Sequence, residues 1–425
     1  MPLSPVREIN RLEIQPILPV VDSVSQDGQP ELGADLNLSF AGVDTQYATH
    51  SIHPYIAAIN PPLARTLIEH YVPAGETVLD PFCGGGGVLV EAVLNGRQAV
   101  GYDVNPLAVL ISRVKTTPLP SRRTIHEYTK VLDEAQALAR NAPCTDVPDV
   151  ISYWYNEDTL PPLFALRTVI SRIEDVQVRD MFLVALSATA REVMLTYRGE
   201  VRLRRLQGPD LERFRPNVLA SFRKRAELAI TRVAQLPANA HARAEVGDAR
   251  QISMAQKFHS VITSPPYADD TNGVGYFQFS RNMLYWLGFS LDELKEQRKL
   301  FLGCSGQNTA NLPTLPSITL QRTLELLTKQ KEQHYREALS FYHDYHRALD
   351  RIASVVEKRL IIVIGDRVLS RTYINNGHIT TELLEALGFG LEHYYTRELK
   401  KKRIANLGGD GGGTSIEHIL VYQHR

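Results

Sequence analysis

The stretch TVLDPFCGGGGVLVEAVLNGRQAVGYDVNP, residues 77–106, decides the fold. It begins with a short apolar run and passes through a glycine loop into a helical pattern that ends at Gly96. A second apolar run, 98–104, follows. Strand, glycine loop, helix and strand form a βαβ unit, whose parallel strands are the building block of a doubly wound sheet. The sequence therefore predicts an α/β fold.

The flanking sequence extends this sheet. Further strands are predicted at 244–248, 259–264 and 359–366, and a closing pair at 391–399 and 417–423. The intervening residues 116–243 carry helical patterns without a convincing strand. We expect an N-terminal arm over residues 1–45, a catalytic domain made of residues 46–115 and 244–425, and a helical insertion over 116–243.

Composition excludes several classes of protein. Lys plus Arg and Asp plus Glu balance at 47 each, so any attraction to nucleic acid must be local. The three cysteines lack CxxC spacing, and His343 and His346 lack an HExxH pattern, so we expect no metal site and no disulfide framework. No signal peptide and no run of 18 apolar residues is found, which predicts a cytoplasmic protein without a membrane partner.

The glycine loop marks a ligand crevice, because ligands of doubly wound folds bind where strands end and helices begin. Leu89 stands where GxGxxG requires its third glycine, so a dinucleotide is disfavoured and S-adenosylmethionine fits better. Asp103 ends the next strand, where a carboxylate can accept hydrogen bonds from both ribose hydroxyls; its alternative role is a helix cap at Pro106. Asp248 is predicted to bind the adenine amino group, again with a helix cap as the alternative.

The tetrapeptide Ser264, Pro265, Pro266 and Tyr267 follows the apolar strand that ends at 263. Its prolines force the chain out of the sheet and leave carbonyl groups free to accept hydrogen bonds. The hydroxyl of Ser264 and the carbonyl of Pro265 can hold the two hydrogens of a base amino group, while Tyr267 offers a flat face to a base swung out of the duplex. These four residues are the predicted catalytic set.

Together, DPFCGGGG, GYDVNP, GDAR and TSPPY resemble the amino-group DNA methyltransferases, in particular the N4-cytosine type with serine in the catalytic motif. The segment HPYIAAINPPLARTLIEHY is similar to the family's N-terminal cofactor motif, and the likeness extends in patches over residues 50–425. It implies a class I methyltransferase fold with a mixed seven-stranded sheet. The cofactor-binding residues expected from motif and resemblance are His53, Pro54, Tyr55, Asp80, Pro81, Phe82, Cys83, Gly84, Gly86, Asp103, Val104, Asn105, Asp248 and Ala249.

The resemblance implies a site-specific enzyme that transfers a methyl group from S-adenosylmethionine to the N4 of a flipped-out cytosine in double-stranded DNA. It would serve restriction-modification or epigenetic marking, with a cognate restriction endonuclease as a candidate partner. The alternatives are methylation of N6-adenine in DNA, methylation of an RNA base amino group, and a catalytically silent module that binds the cofactor or DNA. The sequence leaves the recognition sequence and the oligomeric state open.

Two departures from the family pattern affect this prediction. The loop has four glycines where a serine or threonine often interrupts them, and a long insertion precedes GDAR. Target recognition is therefore assigned to the helical insertion, to residues 268–327, or to both.

Basic residues in two segments are candidates for phosphate contacts. Those singled out are Arg198, Arg202, Arg204, Arg205, Lys400, Lys401 and Arg403. Their alternative role is an ordinary solvated face.

Overall fold

The computed structural model describes residues 38–140, 147–197, 203–267, 276–304, 309–399 and 411–425. Within these ranges, eight strands form one sheet. They are β1 (Thr77–Asp80), β2 (Gln98–Asp103), β3 (Ala242–Val246), β4 (Phe258–Thr263), β5 (Val356–Leu369), β6 (Thr372–Ile374), β7 (Phe389–Glu398) and β8 (Gly411–His424).

The sheet has the strand order β3-β2-β1-β4-β5-β8-β7, with the short strand β6 paired to β5. Strands β1 to β5 pair in parallel, whereas β8 is antiparallel to both β5 and β7. This seven-strand path confirms the predicted mixed α/β sheet, to which β6 adds an eighth strand. The strand order reverses between β1 and β4, and such a switch point is where ligands bind in doubly wound folds.

Helices cover both faces of the sheet. Those of the described residues are α1 (Pro61–Tyr71), α2 (Gly87–Leu94), α3 (Pro106–Thr116), α4 (Ser121–Ala139), α5 (Asp149–Ser152), α6 (Leu160–Ile170), α7 (Val176–Glu192), α8 (Gly208–Arg213), α9 (Val218–Val233), α10 (Tyr276–Trp286), α11 (Leu291–Lys299), α12 (Ile318–Gln330), α13 (Glu332–Val355) and α14 (Asn376–Ala386). None of these is long and apolar enough to cross a membrane.

Helix starts follow local chemistry at the two points that matter for the site. The Asn60 side chain accepts a hydrogen bond from the Leu63 N–H and thereby caps α1. Asn105 caps α3 in the same way by accepting from Leu107 N, and Pro106 follows at the first helical position. Asp103 is therefore not the cap of α3, and its carboxylate is left for other partners.

The apolar interior forms two clusters. One packs strands of the sheet against α12, α13 and α14, with Tyr342, Leu349 and Leu384 fully buried. The other joins helices of the segment 116–243 to α3 and α10, through residues such as Phe182 and Met283. The predicted insertion thus shares a core with helices of the predicted catalytic domain, and its role in target recognition stays a prediction.

Candidate active site

A crevice opens at the carboxyl ends of β1, β2, β3 and β4, as the strand order requires. It contains about 810 Å³ of space free of protein atoms, a figure that includes its open mouth. Its walls are formed by Tyr55, Ile56, Ala57, Ala58, Ile59, Asp80, Pro81, Phe82, Cys83, Gly84, Gly85, Gly87, Asp103, Val104, Gly247, Asp248, Ala249, Ser264, Pro266, Tyr276, Leu300, Phe301 and Leu302. Most of the predicted cofactor residues and two of the four predicted catalytic residues therefore meet in one place.

Asp80 ends β1 at the floor of the crevice. Its Oδ1 accepts hydrogen bonds from Thr263 Oγ1 at 2.7 Å and from the Phe82 N–H at 3.1 Å. Burial raises the pKa of Asp80 to about 7, although both hydrogen bonds favour the charged form. The contact with Thr263 joins β1 to β4 one residue before Ser264.

Asp103 ends β2 and anchors the glycine loop. Its Oδ2 accepts a hydrogen bond from the Gly84 N–H at 2.9 Å, and its Oδ1 accepts one from the Asn105 N–H at 2.8 Å. Burial raises the pKa of this carboxyl to about 6 against the effect of both hydrogen bonds. Each oxygen keeps a lone pair, so the carboxylate can still accept from the two hydroxyls of a ribose.

The glycine loop is packed too closely for any side chain. A Cβ at Gly85 would lie 2.7 Å from Cβ of Tyr55, and one at Gly86 would lie 2.8 Å from Oγ of Ser112. Gly86 also has a φ of 79°, in the left-handed region. The Ser112 hydroxyl donates to the Gly84 carbonyl at 2.7 Å, which fixes the loop from below. Burial raises the pKa of the Cys83 thiol, so this residue lines the crevice in its neutral form.

The segment before α1 contributes a wall through Tyr55 and not through His53. The Tyr55 hydroxyl accepts a hydrogen bond from Asn105 Nδ2 at 3.0 Å, which ties the segment to the end of β2. His53 is buried and points elsewhere: its Nδ1 donates to the Pro54 carbonyl at 2.7 Å and its Nε2 contacts Ser187 Oγ of α7 at 2.9 Å. Burial lowers the pKa of His53 to about 3, so the ring is neutral. Pro54 is exposed outside the crevice walls, and cofactor contacts for both residues stay predictions.

Asp248 follows β3 and performs two structural tasks. It caps a short 3₁₀ turn, Ala249–Gln251, by accepting from Arg250 N. Its Oδ2 also accepts from Arg250 Nη2 at 2.7 Å, and Nη1 of this arginine lies 2.8 Å from Oδ2 of the buried Asp344 on α13. Because Arg250 donates to the Leu300 carbonyl as well, at 2.9 Å, it links Asp248 to the opposite wall of the crevice.

The tetrapeptide leaves β4 at the other side of the crevice. Ser264 and Pro266 line it, Pro265 is buried behind them, and Tyr267 lies outside its walls. The Tyr267 ring packs on the backbone of β5, where a Cβ at Gly365 would lie 2.8 Å from its Cε2. Its hydroxyl lies 3.2 Å from Ser264 Oγ and donates to Glu417 Oε1 at 3.1 Å. The use of this ring as a base-stacking face stays a prediction.

The predicted basic surface is described only in part. The Arg204 guanidinium lies 4.1 Å from the centre of the Tyr197 ring, and the Arg205 guanidinium lies 4.6 Å from the centre of the Tyr153 ring. Arg205 Nε also donates to the Tyr153 carbonyl at 2.8 Å. The remaining five predicted residues, Arg198, Arg202, Lys400, Lys401 and Arg403, lie outside the described residues.

Sequence reasoning missed several residues of this region. The apolar wall of Leu300, Phe301 and Leu302 carries no motif, and Arg250 was quoted only as part of GDAR. Glu417 lies 150 residues from Tyr267 in the chain, so no local signal connects them. Only the cross-strand arrangement of the sheet brings it to the catalytic turn.

The residues present fit S-adenosylmethionine. The glycine loop allows close backbone approach, Asp103 offers acceptors for a diol, and Asp248 with Ala249 forms a second polar edge after β3. Apolar side chains, including Ile59 and Phe301, complete the walls. Among the described residues, no group of three or more His, Cys, Asp or Glu side chains is arranged to hold a metal ion.

Comparison with known proteins agrees with this geometry. Residues 35–113 match the DNA methylase family, whose model is named for N6 and N4 methylation. The chain is 28% identical over 401 residues to the Type II methyltransferase M.MvaI of Kocuria varians, an alignment that covers 86% of this chain and 87% of that protein. These matches support the amino-group methyltransferase family. Its methyl donor is S-adenosylmethionine, the cofactor that the residues of the crevice fit.

One further match covers only a short part of each chain, and one further match is to a solved structure with a low TM-score. A tRNA (guanine(10)-N2)-dimethyltransferase of Methanothermobacter thermautotrophicus is 46% identical over 52 residues, which are 12% of this chain and 16% of that protein. Among solved structures, a TehB-like SAM-dependent methyltransferase from Corynebacterium glutamicum is 11% identical and covers 85% of this chain and 87% of that one, with a TM-score of 0.29. A score this low carries no argument, and the assignment of the methyltransferase fold rests on the strand order.

Proposed function

We propose that the protein is a site-specific DNA methyltransferase that methylates the exocyclic N4 of cytosine. One observation carries the proposal: Ser264 lines the same crevice as Asp80, Asp103 and the glycine loop. Ser264, the predicted hydrogen-bond acceptor for the amino group of the base, thus lies beside the predicted cofactor site. The similarity to a Type II methyltransferase over most of both chains supports DNA as the substrate.

Serine in the catalytic turn favours cytosine over adenine. The lone pair of a base amino group is delocalised into the ring, so the group is a poor nucleophile until its hydrogens are held and the nitrogen becomes pyramidal. The Ser264 hydroxyl and the Pro265 carbonyl supply two neutral acceptors for these hydrogens. We therefore assign the amino group of cytosine to this turn, in the pattern of the N4-cytosine enzymes that the sequence resembles.

The residues of the chain act mainly by placement. Bound S-adenosylmethionine supplies a methyl group that its sulfonium already activates, so no covalent nucleophile of the protein is required. Asp103, Asp248 and the glycine loop would hold the donor, and the turn at Ser264 would hold the amino group that accepts the methyl group. The target base must leave the helix to reach this crevice.

DNA contact is assigned to the basic surface on the helical segment. Arg204 and Arg205 lie over the rings of Tyr197 and Tyr153, and arginine side chains of such a surface contact DNA phosphates. A restriction-modification role, with a cognate endonuclease, follows from the proposed activity and the Type II relative.

The test is product identification. The purified protein is incubated with labelled S-adenosylmethionine and duplex DNA from a methylation-free strain, and the digested nucleosides are identified by mass spectrometry. We expect N4-methylcytosine. N6-methyladenine as the sole product would change the assigned target base from cytosine to adenine and leave the assignment of the active site unchanged.

A second candidate is an RNA base amino group, favoured by the 52-residue match to the tRNA guanine methyltransferase. The same incubation with unmodified tRNA tests it. Methylated guanine in tRNA and none in DNA would replace the proposal by this alternative, whereas cofactor binding without any product would support the silent module.

A further inference from the structure

The catalytic turn is connected to a carboxylate on β8, two strands away from β4 in the sheet. Ser264 Oγ lies 3.2 Å from the Tyr267 hydroxyl oxygen, which in turn lies 3.1 Å from Glu417 Oε1. A carboxylate only accepts hydrogen bonds, so the single proton of Tyr267 is donated to Glu417. Ser264 is therefore the donor in its contact with Tyr267. Both lone pairs of its oxygen remain available as acceptors, and Ser264 lines the crevice.

Glu417 forms an ion pair with an arginine on the next strand. Arg397 of β7 donates from Nε at 2.7 Å, and its Nη2 lies 2.6 Å away, both toward Oε2 of Glu417. The arginine thus occupies one carboxylate oxygen and leaves the other to Tyr267. The residues are 8% and 9% exposed respectively, and a guanidinium does not give up its own proton.

The Tyr267 ring is held so that its hydroxyl lies between Ser264 and Glu417. One face of the ring lies on Gly365, where even a Cβ would come within 2.8 Å of it. Asn376 Nδ2 donates to the Gly365 carbonyl at 2.8 Å and to the Tyr267 carbonyl at 3.3 Å, which fixes the turn against β5. Burial and the charge of Glu417 raise the pKa of Tyr267, so the hydroxyl stays protonated.

We propose that Ser264, Tyr267 and Glu417 form a proton relay that removes the proton released when the base amino group is methylated. The inference rests on the proposed function. As the N–C bond forms and the S–C bond breaks, the sulfur keeps the electron pair of its bond and the nitrogen becomes positively charged. The nitrogen then gives a proton to Ser264, Ser264 gives its own to Tyr267, and Tyr267 gives its own to Glu417.

The relay explains how a serine turn can complete the reaction. A serine hydroxyl is too weak a base to keep the proton, and the crevice has no carboxylate in the turn itself. Glu417 accepts the proton although it does not contact the nucleobase, so it acts through Tyr267 and Ser264. Glu417, which is 9% exposed, then releases the proton to solvent, and rotation of the Ser264 and Tyr267 hydroxyls restores the starting state.

The experiment compares Glu417→Gln, Tyr267→Phe and the double variant in methyl transfer to DNA. Each single change is expected to lower kcat at least about tenfold, since proton removal by a positioned base is worth more than that. KM for S-adenosylmethionine and for DNA should stay within about twofold, because neither side chain lines the crevice. The double variant should be no slower than the slower single variant, because both changes interrupt one chain.

Glu392→Gln is the matched control. Glu392 forms a similar, partly buried pair with Arg359 in the same sheet, at 2.9 Å from Nε and 3.0 Å from Nη2, and its hydrogen bonds among the described residues do not reach the turn. It should retain the wild-type kcat. Melting curves and calorimetric binding of S-adenosylmethionine are recorded for every variant. Tyr267→Phe keeps the ring and the Arg397–Glu417 pair, so it tests the relay even if Glu417→Gln fails to fold.

The outcomes separate the two proposals. Wild-type kcat in folded Tyr267→Phe, or a loss as large in Glu392→Gln as in Glu417→Gln, would overturn the relay while the wild-type enzyme still methylates DNA. Strictly additive losses in the double variant would also overturn it. Absence of any product from the wild-type protein would overturn the proposed function and the relay with it.

Discussion

The two halves of the crevice are built differently. The proposed cofactor half consists of the carboxyl ends of β1, β2 and β3 with the segment 55–59, and its glycine loop is anchored through the Gly84 N–H to Asp103. The transfer half consists of the turn 264–267 with Gly365 and Glu417, and its contacts join side chains of the turn to the backbone of β5 and to the Glu417 side chain of β8. Variants in the cofactor half should therefore change affinity, whereas variants in the transfer half should change the rate of methyl transfer.

The largest effect on rate is expected for Ser264→Ala. Loss of the hydroxyl removes one acceptor of the amino group and the first member of the relay, and should lower kcat about 100- to 1000-fold. Calorimetric binding of S-adenosylmethionine should be unchanged. Weakened cofactor binding in this variant would show that the two halves are not separable.

Gly365→Ala should lower kcat about tenfold. The added methyl group would lie 2.8 Å from the Tyr267 ring, so the ring must move and its hydroxyl leave the line between Ser264 and Glu417. Gly390→Ala is the control on β7, because its methyl group would meet only the Arg425 side chain at 3.4 Å. Equal rates in the two variants, measured in a single-turnover assay, would contradict the role given to the ring position.

Gly86→Ala tests the cofactor half through packing. Its φ of 79° resembles the 69° of Gly96, so both alanine variants carry a similar backbone strain. Only at position 86 would the methyl group collide, 2.8 Å from Ser112 Oγ, whereas nothing lies within 4 Å at position 96. We expect Gly86→Ala to lose about 1–2 kcal/mol more stability than Gly96→Ala in urea unfolding.

The same pair also reports on binding. Ser112 holds the Gly84 carbonyl, so only Gly86→Ala should weaken S-adenosylmethionine binding, by several-fold. Equal stability and equal affinity in the two variants would mean that the loop tolerates a side chain.

The smallest effect is the dependence of cofactor binding on pH. Asp103 has its pKa raised to about 6, so its carboxylate is charged above that pH and protonated below it. Only the charged form accepts from both ribose hydroxyls, so affinity should be full above about pH 7 and fall as pH drops through 6, by at most roughly tenfold per unit. Titration calorimetry checks this.

Asp103→Asn is the control for the pH experiment, because its weaker binding should not vary with pH in this way. If the pH dependence persists in Asp103→Asn, it must come from another group, and Asp80, whose pKa is raised to about 7, would be assigned as its cause.

The sequence predicts the cofactor half better than the transfer half for a physical reason. Asp80, the glycine loop and Asp103 lie within one βαβ unit, where strand ends and helix starts follow from local patterns. Glu417 reaches Tyr267 only because β8 pairs antiparallel with β5, and its register places Glu417 opposite Gly365. Such a register depends on the whole sheet and cannot be read from a motif.

The same distinction holds for individual residues. The cofactor contact of His53, expected by resemblance, stays a prediction, and the buried ring contacts Ser187 of α7. Arg250 was visible in GDAR, but its pairing with Asp344 of α13 is a long-range contact. Contacts across elements decide which motif residues face the crevice.

The most direct test of the account is a crossed comparison of Asp103→Ala and Ser264→Ala, with cofactor affinity by calorimetry and methyl transfer to DNA at saturating cofactor. Asp103→Ala should bind S-adenosylmethionine about 100-fold more weakly, from the loss of charge-assisted hydrogen bonds, and approach the wild-type rate at saturation. Ser264→Ala should bind normally and stay slow at any cofactor concentration. An Asp103→Ala enzyme that stays slow at saturation, or a Ser264→Ala enzyme with the wild-type rate, would contradict the division between a half that binds and a half that transfers.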